Sequence, residues 1–379
     1  MADSFSVADR AFMAQAIQVA KQGLYSCHPN PRVGCLLVDA QGNEIARGAH
    51  LVAGQGHAEV NALAIAKERA EGATAYVTLE PCSHTGKTGP CAVALVKAGV
   101  KRVVAAMVDP NPEVAGRGLA ILAEHGIEVS SGLLEDEAKA LNPGFIKRML
   151  TGTPYVRLKT ASSLDGRTAM ASGESFWITG LAARSDVQQW RARSSAIITG
   201  VDSVIQDDSA LTVRPEQLPE SMQSRYTGLQ PLRVVLDSQL RLPLGAKLLS
   251  LPGQTLVVTC LPEGERHQAL REQGAEVLVL ESNEAGQVPL TALLEHLASA
   301  YQCNEVLVET GATLAGSFLK AGLVDEWLLY QATCLLGSSA RPLVQWPLET
   351  MAQKQSFGLV DIRQLGNDLR LQLKPQPSE

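Results

Sequence analysis

Three short segments of the chain carry residue types that bind zinc. His57, Cys82 and Cys91 supply one imidazole and two thiolates, which zinc binds in tetrahedral geometry. Three protein ligands leave the fourth position open to water, as in catalytic zinc sites. Glu59 stands two residues after His57, where its carboxylate can reach that water and carry protons to and from it. The spacing therefore predicts a catalytic zinc site with Glu59 as general acid and base.

A His-x-Glu segment followed by Pro-Cys is the signature of zinc-dependent nucleobase deaminases. The segments at His57 and Cys82 fit it, but eight residues separate Cys82 from Cys91, where the common form has two. The intervening segment is rich in Gly and Thr, and we expect a loop, tied at both ends by the metal, that can wrap around a substrate. A structural zinc site with His84 as fourth protein ligand is the alternative, but it would give Glu59 no role.

The composition is that of a soluble globular protein with a small partner. The 379 residues are 45% hydrophobic and 19% charged, and the formal net charge is −6. The length predicts two domains, and the acidic balance argues against nucleic acid or an anionic membrane surface as partner. The sequence has no apolar run long enough to span a membrane and no secretion signal at its start, so we expect a cytoplasmic location.

The seven cysteines are odd in number and widely scattered. This pattern favours reduced thiols and a metal site over a disulfide framework. Cys260, Cys303 and Cys334 lie in or beside apolar stretches, so we predict that they are core residues.

Hydrophobic periodicity predicts alternating helices and strands in the first half of the chain. The predicted helices are residues 7–22, 57–69, 92–98, 118–125 and 135–150, and the predicted strands are residues 33–38, 75–79, 102–108 and 128–130. The second helix carries His57 and Glu59 in its first turn, and the strand at residues 75–79 delivers Cys82 at its end. The pattern indicates an α/β sheet with helices on its faces and the zinc ligands at the ends of its strands.

A turn-forming segment at residues 151–154 predicts a domain boundary near residue 150, with one domain at residues 1–150 and a second at residues 151–379. In the second domain the predicted strands are residues 155–159, 196–199, 233–236, 255–259, 277–280, 306–309 and 327–333, with helices between them. Residues 217–230 are predicted to be an exposed loop, and residues 374–379 a polar tail. These strands and helices predict a second α/β domain.

A glycine-bearing turn at residues 310–316 follows the predicted strand that ends at Glu309. Backbone N–H groups and the positive end of a helix dipole at such a turn attract anions. The turn lacks the full Gly-x-Gly-x-x-Gly pattern, so an ordinary turn packed with small residues is an equal alternative. Polar clusters at residues 163–167, 173–179 and 207–214 indicate a lined cleft, although turn and cap chemistry would explain each of them.

Seven segments, taken together, carry a resemblance to a known family. They are residues 28–31 (His-Pro-Asn-Pro), 57–60 (His-Ala-Glu-Val), 78–91, 109–112 (Asp-Pro-Asn-Pro), 159–167, 207–214 and 309–316. In these segments the chain resembles the bacterial bifunctional deaminase-reductases of riboflavin biosynthesis. The resemblance extends from about residue 10 to about residue 370.

The resemblance implies two reactions in sequence on one phosphorylated pyrimidine ribonucleotide. The 2-amino group of 2,5-diamino-6-(5-phosphoribosylamino)pyrimidin-4-one is hydrolysed, and the ribosyl side chain of the resulting uracil is then reduced to ribityl by NADPH. It also implies the fold, two three-layer α/β domains. The N-terminal domain would be similar to cytidine deaminase and the C-terminal domain to dihydrofolate reductase.

The resemblance also implies roles for individual residues. In the deaminase domain, Asn30, His84 and Lys87 would bind the substrate, although Asn30 has an alternative as a plain surface asparagine before proline.

In the reductase domain, Lys159 would take part at the reacting ribose. The implied NADPH contacts are Ala161, Trp177, Ser203, Asp207, Ser238, Gly311, Ala312, Thr313, Leu314, Ala315, Gly316 and Ser317. The implied contacts of the reductase substrate are Ser175, Arg191, Leu211, Arg214 and Glu309. Arg191 and Arg214 would grip the 5′-phosphate, because guanidinium pairs bidentately with phosphate.

Three hypotheses remain at this point. The bifunctional enzyme, which we expect to be a homo-oligomer, predicts ammonia release followed by NADPH oxidation. A nucleic-acid-editing deaminase would share the zinc site but leave the second domain without a role. A zinc-stabilised binding module would bind the nucleotide without turnover and would need four protein ligands to the metal.

Overall fold

The chain is described by a computed structural model over residues 5–83, 89–112, 114–174 and 178–376. It divides into two compact units, Met1–Gly152 and Thr153–Glu379, each with its own hydrophobic core. Within the described ranges, no helix combines the length and the apolar character needed to cross a membrane.

The first unit is an α/β unit with one five-stranded sheet. Its elements are α1 (Val7–Ala20), β1 (Gly34–Val38), β2 (Glu44–Ala49), α2 (Ala58–Ala66), β3 (Thr74–Val77), α3 (Cys91–Lys97), β4 (Arg102–Ala105), α4 (Arg117–Glu124), β5 (Glu128–Ser131), α5 (Glu135–Leu141) and α6 (Pro143–Thr151). The strand order is β2-β1-β3-β4-β5, antiparallel between β2, β1 and β3 and parallel from β3 to β5. The predicted single helix at residues 135–150 is wrong, because Pro143 disfavours helical backbone at Asn142 and starts a new helix.

Two glycines let helices pack directly on the two faces of this sheet. A Cβ atom at Gly34 would overlap the carbonyl oxygen of Ala16 in α1, and one at Gly48 would overlap that of Ala58 in α2. Gly34 pairs with Ala49, the residue after Gly48, so the two glycines face opposite sides of the sheet. The helices α1 and α2 therefore cover opposite faces, and the unit has three layers.

Asp9 fixes the first turn of α1 to the sheet. Ser6 and Asp9 form a reciprocal capping box. The Asp9 carboxylate also accepts hydrogen bonds from Tyr76 Oη at 2.6 Å and from Arg102 Nη1 at 2.7 Å. Burial alone would raise the pKa of Asp9, but the hydrogen bonds from Arg102, Tyr76 and Ser6 lower it.

The second unit contains a nine-stranded sheet. Its elements are β6 (Tyr155–Ser162), β7 (Arg167–Ala169), α7 (Leu181–Arg193), β8 (Ala196–Gly200), α8 (Val201–Asp207), α9 (Glu220–Gln223), β9 (Leu232–Leu236), α10 (Lys247–Ser250), β10 (Thr255–Thr259), α11 (Glu265–Glu272), β11 (Glu276–Val279), α12 (Leu290–Ala300), β12 (Glu305–Glu309), α13 (Ala312–Lys320), β13 (Glu326–Gln331), β14 (Arg341–Pro342), β15 (Phe357–Leu365) and β16 (Asp368–Pro375). The strand order is β11-β10-β9-β8-β12-β6-β13-β16-β15, and β7 and β14 pair separately. The seven strands from β11 to β13 run parallel.

Alternate residues of β12 face two different cores in this unit. Val306 and Val308 pack in the cluster that contains Leu293 of α12 and Phe318 of α13. Leu307 packs in another cluster with Trp190 of α7. The side chains of a strand alternate between its faces, so α7 lies on one side of the sheet and α12 and α13 on the other.

The C-terminal hairpin of β15 and β16 was not predicted, and it links the end of the chain to α7. The strand β16 pairs antiparallel with β13, and Lys374 and Pro375, assigned to the predicted polar tail, belong to it. Arg370 Nη1 donates to both carboxylate oxygens of Asp186 in α7, at 3.0 and 2.9 Å. Tyr330 Oη donates to the same carboxylate at 2.6 Å.

One smaller prediction for the second unit is wrong, and another is confirmed only in part. The predicted exposed loop at residues 217–230 contains α9 and buries Leu218 and Met222 in the protein. Of the three predicted core cysteines, Cys303 is buried, but Cys260 and Cys334 are half-buried.

Candidate active sites

The three predicted zinc ligands meet in the first unit, and each comes from an element boundary. His57 is the N-cap of α2, Cys91 is the first residue of α3, and Cys82 lies in the segment that follows β3. The N–H groups in the first turn of a helix have no intrahelical partner, and they favour negative charge nearby. Cys91 N accordingly donates to Cys82 Sγ at 3.3 Å.

The donor atoms of this trio have the spacing of a zinc site. His57 Nδ1 lies 3.5 Å from Cys82 Sγ and 3.3 Å from Cys91 Sγ, and all three atoms lie within 4.8 Å of one another. Tetrahedral zinc with bonds of about 2.0 Å to nitrogen and about 2.3 Å to sulfur requires nitrogen-to-sulfur distances of about 3.5 Å. The residues present therefore fit zinc without rearrangement.

Local hydrogen bonds favour the thiolate form of Cys82, which is the form that binds metal. A hydrogen bond from Cys91 Sγ is the largest cause, and with the bonds from His57 and the Cys91 backbone it lowers the pKa of Cys82 to about 4. The same contact raises the pKa of Cys91, because the two thiols share a proton. The pKa of His57 is also raised, with the hydrogen bond to Cys82 as the largest cause and the charges of Glu59 and Cys82 adding to it, although burial opposes the increase.

Glu59 lies in the first turn of α2 and is 3% exposed. Burial raises its pKa to about 7, and the charge of Cys82 adds to this increase. A buried carboxyl group beside the ligand trio, with a pKa near neutrality, is suited to accept and return protons.

Asn30, a predicted substrate contact, is held by a histidine that the sequence analysis missed. Asn30 Nδ2 lies 3.1 Å from His50 Nε2, and His50 Nδ1 lies 3.1 Å from the carbonyl oxygen of Gly56. A carbonyl oxygen only accepts, so His50 Nδ1 carries the proton and Nε2 accepts from the Asn30 amide. His50 is 2% exposed, and its ring lies edge-on to that of His57, with 5.2 Å between centroids. The sequence offered one signal for this role of His50: it is a histidine that directly follows β2, seven residues before His57.

Four predicted site residues lie outside the described residues. They are His84, Lys87, Ser175 and Trp177. Their assignments remain predictions, and so does the alternative in which His84 is a fourth zinc ligand.

The predicted reductase residues line one large cleft in the second unit. The cleft has a volume of about 1430 Å³ and lies where parallel strands end, including β8, β9 and β12. Open α/β sheets bind ligands at this edge. Fourteen predicted residues line it: Lys159, Ala161, Arg191, Ser203, Asp207, Leu211, Arg214, Ser238, Glu309, Gly311, Ala312, Thr313, Leu314 and Ser317.

The start of α13 forms one wall of this cleft and fits an anionic cofactor. The first intrahelical hydrogen bond runs from Ala315 N to the Gly311 carbonyl oxygen, so the N–H groups of the residues between them have no partner inside the helix. A Cβ atom at Gly311 would meet no atom within 4 Å, which leaves space beside the backbone for a phosphate group. Buried Thr199 Oγ1 in the lining has no hydrogen-bond partner within the described ranges.

Two residues of the predicted cofactor turn do not line the cleft. Ala315 is fully buried in the hydrophobic core of the second unit. Gly316 faces the backbone of Gln345, and a Cβ atom there would overlap the Gln345 carbonyl oxygen. The helical period turns both residues away from the cleft, so we do not retain them as cofactor contacts.

Lys159, Glu309 and Arg191 form a half-buried charged group on the cleft wall. Lys159 and Glu309 are register partners on the parallel strands β6 and β12. Arg191 Nε and Nη2 donate to the two Glu309 oxygens at 2.6 and 2.9 Å, and Arg191 Nη1 donates to the Thr212 carbonyl oxygen at 2.9 Å. Burial alone would raise the pKa of Glu309, but Arg191, with Lys159 and Arg214, lowers it. Burial lowers the pKa of Lys159.

The prediction that two arginines grip the phosphate of the substrate stays a prediction, but the two arginines have different partners in this structure. The Arg191 guanidinium group is bound bidentately to Glu309. In this structure the two N–H groups that could bind a phosphate bidentately therefore bind a carboxylate of the protein. The Arg214 side chain is half-buried in the same lining, and within the described ranges its guanidinium group forms no hydrogen bond or ion pair. Its backbone is fixed by bonds from Arg214 N to Gln188 Oε1 and from Gln217 N to the Arg214 carbonyl oxygen, both at 3.0 Å. Arg214 is therefore the better candidate for an incoming phosphate group.

Comparisons with known sequence families match both units. Residues 6–107 match the cytidine and deoxycytidylate deaminase zinc-binding region, and residues 154–371 match the RibD C-terminal domain. The first match contains the three ligands and Glu59, and the second contains the cleft.

Similar proteins cover the whole chain. The riboflavin biosynthesis protein RibD of Escherichia coli is 49% identical over 371 residues, which cover 96% of this chain and 99% of that protein. The protein of the same name from Haemophilus influenzae is 46% identical over 376 residues, which cover 98% of this chain and 99% of that protein.

Solved structures show the same architecture. The RibD structure from Acinetobacter baumannii has a TM-score of 0.90 at 53% identity, covering 97% of this chain and 99% of that chain. A structure from Thermotoga maritima is named a diaminohydroxyphosphoribosylaminopyrimidine deaminase/5-amino-6-(5-phosphoribosylamino)uracil reductase. It has a TM-score of 0.83 at 32% identity with the same coverage. On its sequence, fold and zinc-ligand geometry, the chain belongs to the RibD family of riboflavin biosynthesis proteins.

Proposed function

We propose which unit of this bifunctional zinc- and NADPH-dependent deaminase and reductase carries out each of its two reactions. The first unit hydrolyses the 2-amino group of 2,5-diamino-6-(5-phosphoribosylamino)pyrimidin-4-one, and the second unit reduces the ribosyl side chain of the product to ribityl. We place the boundary between the two activities near residue 150. The observation that carries the proposal is the trio of His57, Cys82 and Cys91 donor atoms, within 4.8 Å of one another, with buried Glu59 beside it.

In the first unit, Glu59 moves the protons of the hydrolysis. Zinc held by His57, Cys82 and Cys91 supplies Lewis acidity and lowers the pKa of water toward about 7. Glu59 accepts a proton from the attacking water and returns protons to the departing amine, so that water and the 2-aminopyrimidin-4-one give the uracil and ammonia. The pKa of Glu59, raised by burial, suits both directions of transfer.

Asn30 orients the pyrimidine ring in the same site. His50 accepts from one N–H of the Asn30 amide, and this bond fixes the direction in which the rest of the amide points. We assign the remaining hydrogen-bonding groups of the amide to the pyrimidine edge, and His84 and Lys87 to the rest of the substrate.

In the second unit, protein groups align the ribose with the cofactor. The residues at the start of α13 would hold NADPH, which would supply the hydride. Lys159 and Glu309 lie side by side on neighbouring strands and hold or exchange a proton at the reacting ribose. Arg214 binds the 5′-phosphate, and Arg191 holds the Glu309 carboxylate in place. Ser175 and Leu211 complete the substrate contacts, and Ala161, Trp177, Ser203, Asp207 and Ser238 those of the cofactor.

The substrate is a small molecule, and we propose in addition that the chain works in the cytoplasm as a homo-oligomer without nucleic acid or membrane partners. None of the seven cysteines is placed in a disulfide bond, and this arrangement supports a reducing compartment. Size-exclusion chromatography coupled to light scattering measures the oligomeric state, and a mass equal to one chain refutes the homo-oligomer.

One experiment tests the division of the two reactions. The zinc-loaded protein receives the diaminopyrimidine ribotide and NADPH, and ammonia and the absorbance of NADPH are followed with and without a chelator. We expect ammonia release before NADPH oxidation, with both signals lost after chelation. Addition of the deaminated uracil ribotide should restore NADPH oxidation in the chelated protein. Oxidation of NADPH without ammonia release, with the diaminopyrimidine ribotide as the only substrate, would contradict the order of the reactions.

A further inference from the structure

A buried glutamate precedes the zinc-ligand segment and has no part in the chemistry described so far. Glu80 lies between β3 and Cys82, and it is 3% exposed. Its backbone N–H donates to the Met107 carbonyl oxygen at 3.0 Å. No lysine, arginine or histidine within the described ranges forms an ion pair with it. A buried carboxylate without a cationic partner needs hydrogen bonds to replace its hydration.

The Glu80 carboxylate obtains these bonds from backbone N–H groups of one segment. Oε2 accepts from Asp109 N at 3.1 Å and Gly116 N at 2.9 Å. Oε1 accepts from Gly118 N at 2.8 Å and Leu119 N at 3.3 Å. Gly118 and Leu119 belong to the first turn of α4, where N–H groups lack intrahelical partners and negative charge is stabilised. One side chain thus binds both ends of the segment from Asp109 to the start of α4.

The same segment touches the backbone beside Cys82. A Cβ atom at Gly118 would overlap the Pro81 carbonyl oxygen, so α4 begins in direct backbone contact with the residue before the ligand. Only glycine allows this approach. On its other side, Cys82 is tied to α3, because Ala92 N donates to the Cys82 carbonyl oxygen at 3.2 Å. The backbone of Cys82 is therefore held between the starts of α3 and α4.

We propose that Glu80 is a positioning residue for deamination. Its carboxylate docks the Pro81-Cys82 segment on the start of α4 and so sets the distance of Cys82 Sγ from His57 and Cys91. The proposal rests on the proposed function of the zinc site and deepens it. It also gives a role to the Asp-Pro-Asn-Pro motif at residues 109–112, which begins the segment that Glu80 binds.

Conservative and drastic substitutions of Glu80 have different expected effects. In E80Q one carboxylate oxygen becomes an NH2 group, which faces two N–H donors and accepts from neither. E80A leaves all four N–H groups without a partner and opens space beside Pro81. E80D keeps the charge but shortens the reach by one methylene group. We expect the disturbance at Cys82 to increase in the order E80D, E80Q, E80A.

The test measures the metal site directly in the full-length protein. The rate of zinc transfer to a chromogenic chelator and the visible spectrum of the Co²⁺-substituted protein are recorded for wild type, E80D, E80Q and E80A. Loss of a residue that orients a ligand typically costs 10- to 100-fold in metal affinity or activity. We expect zinc transfer from E80Q to be roughly tenfold faster or more, and an altered Co²⁺ spectrum. The kcat for ammonia release should fall by a similar factor while KM stays constant, and E80D should recover part of the loss.

Two internal controls separate a positioning role from general damage. NADPH oxidation with the deaminated substrate reports on the second unit and should not change in any Glu80 variant. D39N is the matched control, because Asp39 also accepts backbone N–H groups, from Gln41 and Asn43, but in the exposed turn between β1 and β2. D39N should retain zinc and the Co²⁺ spectrum of wild type.

Wild-type zinc transfer, Co²⁺ spectrum and kcat in both E80Q and E80A would overturn the proposal. If E80A does not fold, the comparison of E80Q with E80D carries the test. Failure of the proposed function gives a different result, in which zinc-loaded wild type releases no ammonia. The zinc-transfer rates, which need no substrate, then still decide whether Glu80 positions Cys82.

Discussion

The bidentate pair of Arg191 and Glu309 should be essential for both the stability and the reductase activity of the second unit. We consider R191M, which keeps an apolar stem of similar length but removes the guanidinium group. The two side chains are 13% and 10% exposed, so the substitution leaves the Glu309 carboxylate in a poorly hydrated place. Lys159 on the neighbouring strand remains as a partial partner.

The low exposure of this ion pair determines how much stability R191M should lose. Removal of one partner from a buried ion pair costs about 3–5 kcal/mol, and the presence of Lys159 places R191M near the lower limit, about 3 kcal/mol. For a unit of this size, 1 kcal/mol shifts the unfolding midpoint by about 2–4 °C, so we expect a decrease of roughly 6–12 °C. A displaced Glu309 carboxylate should also lower kcat for the reduction by about 10²-fold.

The pH dependence of the stability loss has a definite sign. In wild type the pKa of Glu309 is lowered, so its stabilising contribution is present above its ordinary pKa of 4.5 and is lost as the pH falls through the lowered value. In R191M burial becomes the dominant influence and raises the pKa of Glu309. Stability is then lost as the pH rises through the raised value. The destabilisation of R191M relative to wild type should therefore be larger at pH 8 than at pH 5.

Calorimetric unfolding at both pH values and NADPH oxidation with the deaminated substrate measure these effects. The matched control is R193M on the same helix, because Arg193 Nε lies 3.2 Å from Glu305 Oε2, and Arg193 does not line the cleft. R193M should cost less stability, since Glu305 keeps its ion pair with Arg157, and it should leave kcat near the wild-type value. An R191M protein that unfolds within 2 °C of wild type at both pH values, with an unchanged kcat, would refute the reasoning.

Three further predictions concern the first unit. E59Q should retain zinc, measured by metal analysis, but release ammonia about 10²- to 10⁴-fold more slowly, and a rate near wild type would exclude Glu59 as the proton carrier. H50A should raise KM for the diaminopyrimidine more than it lowers kcat, because Asn30 loses the bond that orients its amide, while zinc content stays at the wild-type level. D9N should destabilise the unit by about 2 kcal/mol near neutral pH, because charged hydrogen bonds from Arg102 and Tyr76 are lost. Since the pKa of Asp9 is lowered, the loss should shrink below its ordinary pKa of 3.8, and urea unfolding from pH 3 to pH 7 checks this trend.

The zinc site could be predicted from sequence because its chemistry restricts the residue types. Few side chains bind zinc, and a histidine at a helix start with two cysteines at neighbouring element boundaries leaves little choice. The strands of the parallel sheets were also predicted, since continuous apolar runs bounded by turns mark buried strands. The motif segments and the resemblance also predicted fourteen of the residues that line the cleft.

The residues that hold these groups in place were harder to predict. His50 contacts Asn30 twenty residues earlier, and Glu80 accepts from backbone N–H groups 29 to 39 residues later. Arg191 and Glu309 are 118 positions apart, so the sequence gives no local sign of their pairing. Ala315 and Gly316 were predicted as cofactor contacts because the whole segment from Gly311 to Ser317 was treated as one turn. The helix α13 begins at Ala312, and from there only one face of the helix lines the cleft. The C-terminal hairpin was missed because β15 is largely exposed and lacks an apolar alternation.

The hairpin at the chain terminus has a consequence for handling the protein. Arg370 in β16 forms an ion pair with Asp186. The helix that carries Asp186 also carries Arg191. The terminus is thus a structural support for the cleft, although it lies more than fifty residues beyond Glu309 in sequence. Deletion of β16 would remove the Arg370 side chain and take away that support.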